Sequence, residues 1–219
     1  ESGIKIWDFR SISTFIKSQS NLGLAISKNK YLVTLDSSGN LTNLKANTGR
    51  VNWQLNVTGS LLAHDTDFFK SSDVVIFDND IIFAAISSIF SFNLQSGHLN
   101  WKVNITSSNN PIVDKNNVFV ISNNGYFINL NRKSGKIIWS TNILKILKKK
   151  KRSTKITGFI MGSGKIYATT LNGYLIVSSA SSGKVEYFEK IGDTITVPPI
   201  ISNGSFYVLT EKSRIVGFN

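Results

Sequence analysis

Short apolar runs separated by turn-forming residues make up nearly the whole chain. Asp73–Phe77, Ile81–Ala85, Phe90–Leu94 and His98–Val103 form one set of four. Pro111–Val113, Val118–Ile121, Tyr126–Leu130 and Lys136–Ser140 form a second. Ile156–Met161, Lys165–Thr169, Tyr174–Ser178 and Lys184–Glu189 form a third. Each run is rich in Ile, Val, Phe and Tyr, and pairs such as Asn79-Asp80, Asn116-Asn117, Asn124-Gly125, Asn172-Gly173 and Asn203-Gly204 bound them. β-branched and aromatic residues fit a pleated surface, and Asn-Gly pairs favour hairpin turns. The pattern predicts four-stranded antiparallel sheets, with strands A, B, C and D in chain order.

A repeat fixes the phase of these sheets. Every tryptophan follows a glycine by four residues: Gly3–Trp7, Gly49–Trp53, Gly97–Trp101 and Gly135–Trp139. Gly183–Tyr187 is a fifth copy with tyrosine in the aromatic slot. Glycine is 16 of 219 residues, so four such pairs in four arise by chance on the order of 10⁻⁵. The steps between the glycines are 46, 48, 38 and 48 residues, the length of a propeller blade. The glycine is expected in the C–D turn, where positive φ costs it little. The aromatic is expected on outer strand D, filling the wedge between adjacent sheets.

The ends share this phase. The chain is expected to open on a D strand, Gly3–Phe9, and to close on strands A (Thr196–Ser202), B (Ser205–Thr210) and C (Arg214–Phe218). Joined tail to head, Gly217-Phe218-Asn219 followed by Glu1 to Trp7 mimics Ser91 to Trp101. Residues 1–219 are therefore read as one all-β propeller domain with five repeat units. Both a closed five-blade ring and a portion of a larger propeller fit that phase. The chain begins at Glu1 with neither a Met nor a leader, as expected of a mature or trimmed form.

Composition narrows the chemistry. With 41% hydrophobic and 17% charged residues the chain is globular. No cysteine is present, which excludes disulfides, thiolate metal sites and cysteine nucleophiles. Lys and Arg number 25 against 13 Asp and Glu, a net charge of +12. Seven of those basic residues fall between Lys145 and Lys155, including Lys148, Lys149, Lys150, Lys151 and Arg152. The others are scattered and not aligned with aromatics, so no nucleic-acid surface is expected. Ile143, Leu144, Ile146 and Leu147 precede the basic run and could form a short amphipathic turn suited to an anionic membrane surface. The bland alternative is a solvated loop.

No catalytic constellation emerges. His98 lies inside a Gly-x-x-x-Trp motif and reads as a strand residue. His64 stands beside Asp65 and Asp67 without further ligand spacing. Met161-Gly162-Ser163-Gly164-Lys165 lacks a phosphate loop's first glycine, because Phe159 occupies that place, so it reads as a tight A–B turn. No cofactor, metal or catalytic residue is assigned.

Asn47-Thr48-Gly49-Arg50-Val51-Asn52-Trp53 and Lys133-Ser134-Gly135-Lys136-Ile137-Ile138-Trp139 resemble the tryptophan-docking repeat of quinoprotein-like propellers. Within that superfamily the chain is most similar to the BamB-like lipoproteins of outer-membrane barrel assembly. The likeness is strongest from Ser96 to Asn219. The resemblance implies a non-catalytic periplasmic scaffold at the inner face of the outer membrane, with BamA and nascent outer-membrane proteins as partners. That family has eight blades where this chain has five units. The same superfamily includes quinone-dependent dehydrogenases, the alternative from an enzymatic class, and a generic interaction propeller is a third reading. In BamB-like proteins two neighbouring inter-blade loops hold BamA, one carrying aliphatics with an Arg and the other an Asp-x-Asp. Asp65-Thr66-Asp67 matches the second. Phe15-Ile16-Lys17 lies where the first would fall, with Lys in place of Arg, which cannot reproduce bidentate pairing.

Overall fold

The structure is a computed structural model, and it describes residues 3–11, 23–58, 69–85, 87–147 and 154–218. The chain divides into two compact units, 1–110 and 111–219.

The first unit holds two four-stranded antiparallel sheets in simple up-and-down order. One comprises β1 (Gly23–Ile26), β2 (Tyr31–Leu35), β3 (Asn40–Lys45) and β4 (Val51–Asn56). The other comprises β5 (Val75–Phe77), β6 (Asp80–Ala85), β7 (Ser88–Asn93) and β8 (Leu99–Val103). β3, β6 and β7 are buried along most of their length. β6 is buried throughout, and Phe83 stacks on Phe90 and Phe92 with centroids 5.5 and 5.9 Å apart. Burial on both faces explains why Ile81–Ala85 is continuously apolar and does not alternate. Outer strands alternate more, and β4 is exposed at every second residue.

The second unit holds three sheets. β9 (Ile112–Asp114), β10 (Asn117–Ile121), β11 (Tyr126–Asn131) and β12 (Ile137–Asn142) form one. β13 (Ile156–Gly162), β14 (Lys165–Thr170), β15 (Tyr174–Ser179) and β16 (Val185–Lys190) form the next. β17 (Ile200–Ser202), β18 (Ser205–Leu209) and β19 (Ile215–Phe218) form a three-stranded sheet. Its core joins Phe119, Phe127, Ile166 and Ile176 in one cluster and Leu175, Ile195, Phe206 and Val208 in another.

Most expected strands occur within a residue or two, with informative exceptions. The last A strand starts at Ile200, not Thr196, because Pro198 and Pro199 offer no N–H to a ladder. His98 lies in the C–D turn, where its carbonyl accepts from the Asn93 N–H. Two A–B turns centre one residue earlier than expected, on Asp78 and Lys115, both at positive φ. Gly3–Phe9 belongs to no sheet: its backbone makes no ladder bonds, although its tryptophan docks as the repeat predicts.

That docking joins the sheets within each unit. The N–H of each C–D glycine closes the turn on a carbonyl four residues back, 2.8 Å from Gly49 to Lys45 and 2.9 Å from Gly97 to Asn93. A β-bulge precedes each aromatic that lies in a sheet and sets it opposite the middle of strand C, as with Trp53 opposite Asn43. The ring then lies on the next repeat's glycine. A Cβ at Gly49 would stand 2.5 Å from Trp7, at Gly97 2.9 Å from Trp53, and at Gly183 2.4 Å from Trp139. The indole N–H of Trp7 donates to the Ala46 carbonyl and that of Trp53 to the Leu94 carbonyl, each at 3.0 Å. The acceptor is in both cases the third residue before the glycine. Leu94 also accepts from the Asn43 amide at 2.7 Å. Trp139 packs edge-on against Phe127, 4.7 Å between centroids.

The loop after β12 departs from the amphipathic expectation. Ile143–Ile146 form one 3₁₀ turn, with the Asn142 side chain accepting from the Leu144 N–H. Ile143, Leu144 and Leu147 are buried in the core, and only Ile146 is exposed. Three of the four apolar residues expected on a membrane-facing side are thus spent on packing.

Gly97→Ala is expected to destabilise the chain by roughly 1–3 kcal/mol, since strained φ and a blocked indole act together. Gly164→Ala has the same sign of φ (+72°) and open space around it, and is expected to lose only about 1 kcal/mol. Chemical denaturation compares the two. Leu144→Ala should lose about 2–5 kcal/mol by cavity formation, whereas Ile146→Ser should leave the midpoint nearly unchanged.

Candidate docking site at the blade turns

Three of the inter-blade loops leave from one kind of place. In three sheets the N–H just past strand D donates to the carbonyl of the glycine in that sheet's own B–C turn. Val57 donates to Gly39 at 2.8 Å, Ile143 to Gly125 at 3.0 Å and Ile191 to Gly173 at 2.9 Å. In each case the donor is four residues past the aromatic. In those three sheets the spacing Gly-x-x-x-aromatic-x-x-x-donor continues the repeat and launches the D–A loop beside a B–C turn, whereas after Trp101 the Ile105 N–H donates to the Val103 carbonyl.

Phe15, Ile16, Lys17, Asp65, Thr66 and Asp67 lie outside the described residues, as do His64 and Lys148 to Arg152. The residues at the roots of the first two loops are described, and both meet the β2–β3 turn, Asp36 to Asn40. On the first-loop side, the Ser11 hydroxyl donates to Asp36 Oδ2. On the second-loop side, Thr58 and Phe69 are buried against Gly39, where a Cβ would come within 2.5 Å of Thr58 and 3.3 Å of Phe69. The basic run is likewise flanked by buried Leu147 and by buried Thr154, whose hydroxyl accepts from the Asn172 N–H at 3.3 Å. Sequence reasoning missed Ser11, Asp36, Thr58 and Phe69. The Asp36-Ser37-Ser38-Gly39 turn signature is readable, but no local signal links it to Ser11, Thr58 or Phe69, all distant in sequence.

The fifth aromatic sits differently from the tryptophans. Tyr187 is half exposed and lines a cavity of about 310 Å³ with Tyr167, Leu175, Phe206, Phe218 and Glu189. Its hydroxyl donates to Glu189, and this bond to a carboxylate holds the phenol above its usual range. Exposed ion pairs tie Lys165 to Glu186 at 3.0 Å and Lys212 to Asp193 at 2.9 Å, the latter holding the Asp193 carboxyl below the ordinary range. Such exposed pairs contribute little to stability. Among the described residues no three His, Asp or Glu side chains group as a metal site, and no helix is long and apolar enough to cross a membrane.

Comparison with known proteins places this arrangement. A family profile described as outer membrane protein assembly factor BamB matches residues 1–141. The chain is 24% identical over 182 residues to the outer membrane protein assembly factor BamB of Legionella pneumophila (strain Paris), covering 82% of this chain and 46% of that protein. It thus spans less than half the length of that relative. The crystal structure of BamB from Moraxella catarrhalis superposes with a TM-score of 0.74 at 13% identity, over 98% of this chain and 63% of the other. The Cps50 (Swd1) β-propeller domain of Myceliophteria thermophila superposes with a TM-score of 0.66 at 14% identity, over 95% and 67%. At these identities the structural likeness shows the fold, a β-propeller of antiparallel blades. The matching profile covers well over half of the chain, and the chain belongs to the family of the outer membrane protein assembly factor BamB.

Proposed function

We propose that this chain is a non-catalytic scaffold in the assembly of outer-membrane β-barrel proteins, acting in the periplasm at the inner face of the outer membrane. Family membership and the name of the Legionella relative support the role. All five repeats act as one propeller domain in this reading. The scaffold binds a BamA-type barrel-inserting subunit through Phe15-Ile16-Lys17 and Asp65-Thr66-Asp67, and so assists the insertion of nascent outer-membrane proteins.

The observation that carries the docking assignment is the shared root. Ser11 and Thr58, at the roots of two loops and far apart in sequence, both meet the Asp36–Asn40 turn of a single blade. A rigid sheet with functional loops at one end is a common division of labour in β proteins. The aspartates supply negative charge on a chain of net charge +12, so the partner surface is expected to be basic where they meet it. Lys148 to Arg152 serve as a second, electrostatic contact with anionic lipid headgroups. The burial of Ile143, Leu144 and Leu147 leaves that contact without an apolar anchor from the preceding turn.

Charge reversal at Asp65 and Asp67 together is expected to abolish copurification with the BamA homologue while leaving the melting temperature within a few degrees. Retained copurification would remove these residues from the interface. Replacing Lys148 to Arg152 with serine is expected to lower sedimentation with phosphatidylglycerol vesicles, with the difference vanishing at about 1 M salt. Equal sedimentation at low salt would exclude the lipid contact.

A further inference from the structure

The β2–β3 turn carries more hydrogen bonding than a turn requires. Asp36 Oδ1 accepts the backbone N–H groups of Ser38 and Asn40, each at 2.9 Å, which completes the turn. Its second oxygen, Oδ2, accepts from Asn40 Nδ2 at 2.9 Å and from the Ser11 hydroxyl. Asn40 Oδ1 in turn accepts from Asn56 Nδ2 at 2.9 Å, and the same amide reaches the Ser38 carbonyl at 3.0 Å. Asn56 Oδ1 accepts the Thr58 N–H at 2.9 Å and the Thr58 hydroxyl. An unbroken chain of side-chain hydrogen bonds therefore runs Ser11–Asp36–Asn40–Asn56–Thr58. It joins Ser11, four residues past Trp7, to Thr58, five residues past Trp53.

The sibling blades provide an internal control. At the position of Asp36 the third blade has Ser122 and the fourth has Thr170. Their hydroxyls accept from the Tyr126 and Tyr174 N–H groups at 3.0 Å, so one acceptor is enough to hold the turn. At the position of Asn40 those blades have Tyr126 and Tyr174, which offer no amide at that place. Asn142 repeats part of the Asn56 role, accepting from the Leu144 N–H and donating to the Asn124 carbonyl at 3.4 Å, but Tyr126 offers it no amide oxygen to reach across to. The carboxylate and the Asn40 amide are thus extra to the repeat, and they are what links the two loop roots.

We infer that Asp36, Asn40 and Asn56 are positioning residues for the docking face, fixing the roots of both partner loops in one hydrogen-bonded unit so that the loops engage a partner together. This rests on the assignment of those loops to partner binding. The network is part-buried and charge-assisted at Asp36 and exposed at Asn56, and its connected bonds hold a geometry that single contacts would not.

The test exchanges blade identities. Asp36→Ser and Asn40→Tyr install the residues that hold the same turn in sibling blades, so the fold is expected to survive with its melting temperature nearly unchanged. Both variants should accelerate limited proteolysis within 12–22 and within 59–68, and should weaken binding to the BamA homologue by about tenfold, the scale of a lost charge-assisted hydrogen bond. Ser11→Ala should reproduce the effect at the first loop, and Ser11→Thr should restore it. Unchanged cleavage in both loops would overturn the positioning role whether or not a partner binds. Accelerated cleavage with unchanged binding, while reversal at Asp65 and Asp67 abolishes it, would overturn the docking role alone. Binding that survives that reversal would instead overturn the partner-loop assignment, and the cleavage rates would still decide the network.

Discussion

A ring lying on a glycine is the contact on which the sheets of each unit depend. The glycine must do two things at once. It turns the chain at positive φ between strands C and D, and it leaves room for an indole where any Cβ would stand. In the first unit the indole N–H of Trp7 and of Trp53 then finds a backbone carbonyl three residues before that glycine, so a large apolar group and its one polar atom are satisfied in the same step, whereas the buried Trp139 N–H has no such acceptor. Sheets without helices must bury their faces against other sheets, and this contact sets the spacing at which they do so. The bulge that aims each aromatic follows from the same requirement, since the residue just before the ring is unpaired in every C–D ladder.

Because this constraint recurs in sequence, the blades were legible without a structure. Gly-x-x-x-Trp fixed the phase, and the apolar runs between motifs could only be strands of that phase. The places where reading failed are those where the repeat itself gives no instruction. Pro198 and Pro199 shorten a strand whose apolar character extends further. Ile143, Leu144 and Leu147 looked like a lipid-facing stripe because hydrophobicity alone does not say which side is covered, and here the core covers them. Tyr187 occupies the aromatic slot yet remains half exposed, since among the described residues the following sheet ends with β19 and presents no C–D glycine to it.

The candidate site was legible only in part. Asp65-Thr66-Asp67 and Phe15-Ile16-Lys17 were found through resemblance, which selects residues but not what holds them. The residues at the loop roots and the turn they meet are ordinary in sequence. Asp36 and Asn40 look like any turn, and Ser11, Asn56 and Thr58 like any polar surface. Their connection spans 25 and 16 residues and exists only once β2, β3 and β4 are paired. It also explains how a chain with a strict repeat can make one blade end different: the repeat needs a single acceptor at the turn, and a carboxylate in that place has an oxygen to spare.

The central claim is that this propeller works as a docking scaffold through one blade end. Hydrogen–deuterium exchange of the chain with and without a BamA homologue tests it most directly. The account predicts partner-dependent protection concentrated in residues 11–22, 36–40 and 56–69, with the buried B and C strands unchanged. Protection confined to other blades, or none in those three segments despite a formed complex, would contradict it.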